Sequence, residues 1–488
     1  MSFTADRRHL LQQLAACGVI AALPSAIAAP LPTAALRDDV DILRRALALH
    51  PGLYRYGSPA EVAGWFTRFE AEFVAAQDET ARFLLLAKLL ARIRCGHTYA
   101  SLFNQRKPVA ERLFARPTRL PFEFRWIDDT MVVTRPYPGV VGLAPGTRIE
   151  RLNGVPATAF LRELMTYARA DGHNDAKRRA LLSQQGEDSV EYFDVFQSLL
   201  LPSTGGVHRL QVLTPAGRHL MLELPAITLE ERQAQSLRPA NDGSPFWQWE
   251  MRADGIAVLT MPGWAMYSLK WKAWEPWLKE RLDSLGGARA LLIDLRANEG
   301  GEDVGDILLA RLASRDLEFP AYDERVRFRR TPAELDPYLD TWDDSFRQLG
   351  DGGAELPGAF FQRPGSRERQ TIAAVKPRLG LPVAALIGPT NSSATFQFAM
   401  QAQATGLVKL IGQTTGGNRR GINGGCFFFV RLPACGLEFD LPLVGYFPRS
   451  SQPDAGVTPD IVVPERWEDV VAGRDATMEA ALSWARRA

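Results

Sequence analysis

The stretch Leu291-Leu-Ile-Asp-Leu-Arg-Ala-Asn-Glu-Gly-Gly301 constrains this chain more than any other. An unbroken apolar run followed by an acid–base pair reads as a strand buried on both faces, of the kind a parallel sheet contains. The two glycines that close it lack a Cβ, so the backbone can turn sharply there and approach another group closely. A second apolar run, Pro382-Val-Ala-Ala-Leu-Ile-Gly-Pro389, leads into Thr390-Asn-Ser-Ser-Ala394 and then a helix-like Thr395-Phe-Gln-Phe-Ala-Met-Gln-Ala402. A hydroxyl-bearing turn at a strand-to-helix junction presents unpaired backbone N–H groups that can hold an oxyanion. Together the two segments predict both halves of an acyl-transfer site, a serine and glycine amides.

With 488 residues the chain can build several cores, and 46% hydrophobic with 23% charged residues places it among globular proteins. The net charge of +1 gives no reason to expect nucleic acid or an anionic membrane as a partner. Residues 1–29 read as an export signal: Arg7-Arg8, a short apolar core and Ser25-Ala-Ile-Ala-Ala29, with the paired arginines resembling a twin-arginine signal. A periplasmic or secreted location is therefore expected, with no stable membrane insertion once the signal is removed. Cys426 and Cys435 flank a possible hairpin; spacing leaves both a disulfide and two buried thiols open. The cysteine spacings give no zinc pattern.

Residues 34–115 carry helical periodicity, as in Asp38–Leu49 and Thr80–Ile93, the latter stopped at Cys95-Gly96 before a strand expected from His97. Over 118–226 the pattern changes to short strands, Phe122–Trp126, Met131–Thr134 and Leu210–Leu213. There Gly142-Leu-Ala-Pro-Gly-Thr-Arg-Ile-Glu-Arg-Leu-Asn-Gly-Val-Pro156 resembles the core of a PDZ-like domain, a module that grips extended peptides at a sheet edge. From 227 to 488 strands alternate with helices, interrupted at 316–378 by a polar, proline-rich segment expected to be an insertion or long loop.

Taken in order, Cys95-Gly-His-Thr98, the PDZ-like segment, Ile293–Gly301, Asn391-Ser-Ser-Ala394, Gly412-Gln-Thr-Thr-Gly-Gly417 and Gly456-Val-Thr-Pro-Asp-Ile461 resemble the tail-specific, or C-terminal processing, serine peptidases, including the tricorn core and retinoid-binding relatives. The resemblance covers residues 36–488. It implies an α/β (α+β multidomain) fold, with a crotonase-like ββα peptidase core, an N-terminal helical region and a PDZ-like β domain. It places the nucleophile at Ser393, with Ser392 the runner-up; the alternative is that one or both hydroxyls only cap the following helix. The family's lysine base falls at position 418, where this chain has Asn418, and Lys409 sits within an apolar strand and does not replace it. Among the histidines, His97 stands where the tricorn branch keeps its catalytic imidazole, a group suited to taking a serine proton near neutral pH. The residue orienting His97 stays open between Asp454, Glu438 and Asp440. The oxyanion donors are expected at the N–H of Gly301, with Gly300 as an alternative, and of Ala394. Asp294 and Arg296 read as a structural pair.

The leading expectation is a serine-type endopeptidase acting on a peptide or protein substrate, with no metal or organic cofactor. A non-catalytic ligand- or peptide-binding protein and an esterase or other acyl hydrolase are the alternatives. The sequence leaves the oligomeric state open.

Overall fold

The computed structural model describes residues 31–186, 188, 190–366 and 369–488. The export signal read at 1–29 lies outside the described residues.

Three helices open the described chain. Thr33–Ala48 buries Leu36, Val40, Leu43 and Leu47, one stripe at helical spacing. Pro59–Ala75 starts in a capping box between Ser58 and Glu61 and buries Val62, Phe66, Phe69 and Phe73. Glu79–Ala91 is capped by Asp78. Their apolar faces share one core with an antiparallel sheet built from residues 122–225. In that sheet the strand Arg148–Leu152 lies between two turns, as the Pro-Gly and Asn-Gly pairs predict.

The second core surrounds a six-stranded sheet in the order Ile461–Val462, Lys409–Gly412, Val383–Ile387, Ala290–Asp294, Ile256–Thr260 and Gln248–Met251. All neighbours are parallel except the last pair. Helices Trp274–Asp283, Val304–Leu312 and Ser393–Thr405 contribute to the cluster on one face, and Ala476–Ala485 packs on the other. Cover on both faces is why Ala290–Ile293 and Val383–Ile387 are apolar without alternation.

A third sheet centres on the hairpin Asn423–Arg431 and Glu438–Phe447. This hairpin packs into the N-terminal core rather than against the parallel sheet, so residues 227–488 do not share a single core. The segment 316–378 is not a structureless loop. It carries short strands, among them Asp323–Val326, which pairs with Glu438–Phe447, and Leu339–Asp340, which pairs with Asn423–Arg431. Strands of two to four residues are too short to show a periodic signal and depend on their sheet partners. Cys426 and Cys435 are free thiols, not a disulfide. Among the described residues no helix is long and apolar enough to cross a membrane.

Candidate active site

The strand Val383–Ile387 runs into a turn from which the helix Ser393–Thr405 starts. Three side chains fasten this turn to the end of the neighbouring strand. Asn391 is fully buried; its Nδ2 donates to the carbonyls of Leu295 (2.5 Å) and Asn298 (3.0 Å), and its Oδ1 accepts from Gly388 N–H (2.7 Å). Thr395 Oγ1 lies 3.0 Å from Asn298 O and 2.8 Å from Ser392 O. Ser392 Oγ donates to Glu299 O at 3.1 Å and makes no capping bond to the helix. Ser393 is different. Its φ of +52° lies in the left-handed region, and its hydroxyl has no hydrogen-bond partner among the described residues. Such a backbone costs a residue with a Cβ about 1–3 kcal/mol, and the Asn391, Ser392 and Thr395 bonds hold it there.

The glycine turn lies against this serine. A Cβ on Gly300 (φ +107°) would sit 2.8 Å from Ser392 O and 2.9 Å from both Ala394 N and Ser393 Cβ. One on Gly301 (φ +137°) would sit 2.2 Å from the Trp264 carbonyl carbon. Only glycine fits either position. The Gly300 N–H is committed to Asn298 Oδ1 at 2.8 Å, which leaves Gly301 and Ala394 as the candidate oxyanion donors. Arg296 makes paired hydrogen bonds to Asp294 (2.9 and 2.7 Å) and to Asp475 (2.7 and 2.8 Å), tying the strand end to the start of the last helix. The expected structural pair is thus a three-residue clamp.

His97 arrives from the other core. The two-residue strand Tyr99–Ala100 pairs with Asp440 and Phe439 of the long hairpin, and this fixes the imidazole just before it. The ring's Nε2 lies 3.9 Å from where a Gly424 Cβ would stand, so the ring packs beside the strand Asn423–Arg431. Asp171 is buried beside this segment, its Oδ1 accepting the Gly96 N–H at 2.8 Å. Donor atoms of Cys95, His97 and Asp171 lie within 4.8 Å of one another. His97 Nδ1 and Asp171 Oδ2 are both buried without a hydrogen-bond partner. Burial lowers the imidazole below its ordinary value; Asp171 pulls it back up and Arg169 opposes that.

Around these groups runs an ionic network. Glu299 binds Arg169 Nη2 (3.1 Å) and Lys177 Nζ, and Lys177 Nζ also donates to Thr390 O at 2.8 Å. Burial would raise the Glu299 carboxyl, but the two cations outweigh it and hold it well below the usual range. Arg169 also donates to the Gly96 carbonyl, next to His97.

Neither Asp454 nor Glu438 is hydrogen-bonded to His97. Asp454 Oδ2 pairs with His173 Nδ1 at 2.5 Å, and its Oδ1 accepts from Asn418 Nδ2, also at 2.5 Å. Asn418 Nδ2 in turn lies 3.3 Å from Asp171 O, so Asp454 stands one residue behind the acid at the imidazole. Glu438 lies 3.9 Å from Arg106, and Asp440 accepts from Asn104 Nδ2 at 2.9 Å. Asp171 was not singled out from sequence. It sits in Ala170-Asp-Gly-His-Asn174, a turn between helices, and its only signal there was an Asp-Gly pair.

Ser393, Ala394, Gly300, Gly301 and His97 all line one cavity of about 1410 Å³. Phe427, Phe429 and Trp342 form an aromatic wall that continues from the imidazole. Glu438 and Asp440 line the same cavity.

The fold is shared with known proteins. The chain is similar in structure to mature CPAF complexed with lactacystin, 14% identical with a TM-score of 0.61, over 92% of this chain and 97% of that one. It is equally similar to mature CPAF alone, 15% identical with a TM-score of 0.60, over 92% and 96%. At such identity the likeness is one of fold. No match is found among curated proteins. Residues 255–463 match the family described as Peptidase family S41, a span that holds both the glycine turn and the serine turn. That segment of the chain is similar to peptidase family S41.

Proposed function

We propose that this peptidase cleaves peptide bonds through an acyl-enzyme on Ser393, with His97 as general base and Asp171 as the carboxylate behind it. Ser393 Oγ attacks the carbonyl carbon, and His97 takes the hydroxyl proton and returns it to the leaving amine. The N–H groups of Gly301 and Ala394 receive the oxyanion. Water then attacks the ester, with His97 again accepting the proton, and the acid product leaves. The observation that carries this reading is the left-handed Ser393, whose hydroxyl, unlike that of Ser392, makes no hydrogen bond among the described residues, and which lines a cavity that His97 also lines. A ring nitrogen of His97 and a carboxylate oxygen of Asp171 lie within 4.8 Å, and Nδ1 and Oδ2 are both buried without a partner among the described residues, so both are available to pair when an imidazolium forms.

A fluorophosphonate label tests the assignment. The wild-type chain should label at Ser393; Ser393→Ala and His97→Ala should not, whereas Ser392→Ala should. A folded wild-type protein that takes no label would favour the binding-protein alternative, and labelling with turnover only of esters would favour an acyl hydrolase. Processing near C-termini, the finer reading, is tested by comparing peptides with free and amidated ends. Export through residues 1–29 belongs to the same proposal and is checked by the mature N-terminus of the purified protein.

A further inference from the structure

The catalytic reading leaves one residue at this site unused. Cys95 is 1% exposed and two residues from His97, and its thiol belongs to the same cluster of donor atoms as the imidazole and the Asp171 carboxylate. Asn423 lies against it, with Nδ2 at 3.4 Å from Cys95 Sγ. Among the described residues, three polar atoms of this group are buried with no partner: His97 Nδ1, Asp171 Oδ2 and Asn423 Oδ1. Buried polar atoms are ordinarily satisfied, so three orphans around one thiol call for something that all of them can bind. A water serves as donor and acceptor. A cation serves better where the atoms offered are two lone-pair oxygens, an imidazole nitrogen and a sulfur.

We propose that Cys95, His97 and Asp171 form a binding site for a zinc-like divalent cation, and that occupancy silences the peptidase site. Sulfur, imidazole and carboxylate together are the donor set of zinc. With bonds of about 2.0–2.3 Å, donors around a tetrahedral zinc stand about 3.4–3.8 Å apart, so the observed spread of up to 4.8 Å closes by about 1 Å. The charges balance: the thiol proton leaves to solvent, and one thiolate and one carboxylate neutralise the cation. Asn423 Oδ1 or a water fills the fourth position. Glu299 bridges the nearby Arg169 and Lys177 and offsets their repulsion of a cation.

The silencing half rests on His97 as the base. A metal-bound imidazole cannot swing its Nδ1–H onto Asp171, and both groups are then occupied by the cation. Catalysis and metal binding therefore exclude each other at the same atoms.

The test uses the full chain freed of metal by a chelator and titrated with Co2+, which reports a thiolate ligand by a sulfur-to-cobalt charge-transfer absorption. One equivalent per chain should produce that band, Zn2+ should displace it, and fluorophosphonate labelling should fall over the same titration and return with EDTA. Cys95→Ser should abolish the band and weaken binding by more than about 100-fold, since even the partners of metal ligands are worth about 10–100-fold. Its labelling rate, compared with its own chelated state, should no longer respond to zinc. Should Cys95→Ser fail to fold, Asp171→Asn keeps the test open, retaining the band at a weaker affinity. Absence of a thiolate band in the wild type, or zinc inhibition undiminished in the variants, overturns the proposal. A band in a protein that never labels would leave the metal site standing and sink the peptidase reading instead.

Discussion

Asp171→Asn separates the proposed triad from its rivals. The carboxylate lies within 4.8 Å of the imidazole. At an effective dielectric of about 20, two opposite unit charges at that distance attract by about 3.5 kcal/mol, which is a factor of several hundred in rate if lost from the transition state. A second loss follows from hydrogen-bond direction. Asp171 Oδ1 accepts the Gly96 N–H, so an asparagine there keeps its oxygen on Gly96 and turns its NH2 towards His97. That donor favours the tautomer with a bare Nδ1 and a protonated Nε2, which cannot act as base towards the serine. The sum approaches about 10⁴, the loss expected when a triad carboxylate becomes an amide. Initial rates on a fluorogenic peptide give kcat, and their pH dependence supplies the control. The Asp171 charge raises the His97 pKa, so its removal should move the acid limb of kcat/KM to still lower pH, a shift that a merely structural defect would not produce. Activity within tenfold of wild type, together with a crippled Asp454→Asn, would refute the assignment.

Gly300→Ala should fold less stably by about 1–3 kcal/mol and label at least tenfold more slowly, because its Cβ would press on Ser392 O and Ala394 N; urea melts and labelling rates measure both. Lys177→Met should lose stability but keep labelling within about tenfold, whereas a loss of about 10²–10⁴ would mean that the amine and not the imidazole is the base. His50 is fully buried, with Nδ1 accepting from Gly52 N–H (2.9 Å) and Nε2 donating to Thr98 Oγ1 (2.7 Å), and burial, followed by the Arg55 and Arg327 charges, depresses it from 6.5 to about 3. Between those values the unfolded chain takes up a proton that the folded chain refuses, so stability falls as pH drops, by about 3 kcal/mol at about pH 4; urea midpoints against pH should show a flatter profile in His50→Gln.

What sequence reveals here follows from how locally each feature is determined. The strands Ala290–Asp294 and Val383–Ile387 were legible because burial on both faces forces an unbroken apolar run. The hairpin expected between Cys426 and Cys435 is present, although its strands, Asn423–Arg431 and Glu438–Phe447, extend beyond both cysteines. The turns at Gly300-Gly301 and Ser392-Ser393 were legible because only small residues fit there. The 316–378 strands were not, since their order comes from the sheet that they join. Asp171 was invisible for a related reason. It meets His97 only after the turn between Ala157–Leu164 and Asp175–Leu181 folds against the Cys95–Thr98 segment, and no local pattern records that contact.

Asn418 brings these points together. The resemblance calls for a lysine at this position, and the amide found there bridges Asp454 Oδ1 and the Asp171 carbonyl. It is a donor holding two acceptors in place, which is positioning work that needs no titratable group. The chain does hold a buried lysine beside the serine turn, Lys177, and burial does lower its pKa, as a catalytic amine requires. Yet its Nζ donates to Glu299 and to Thr390 O, and the Glu299 charge works against the lowering by burial. A base must offer a lone pair, and an ammonium held between a carboxylate and a carbonyl offers none. His97 is the one group lining the cavity that combines an ordinary pKa near neutrality, a burial that keeps it uncharged, and a nitrogen without a partner among the described residues. With Asn418 at the lysine position, the proposed mechanism assigns proton transfer from Ser393 to the imidazole, and it draws the steadying acid, Asp171, from the N-terminal core rather than from the segment after the nucleophile.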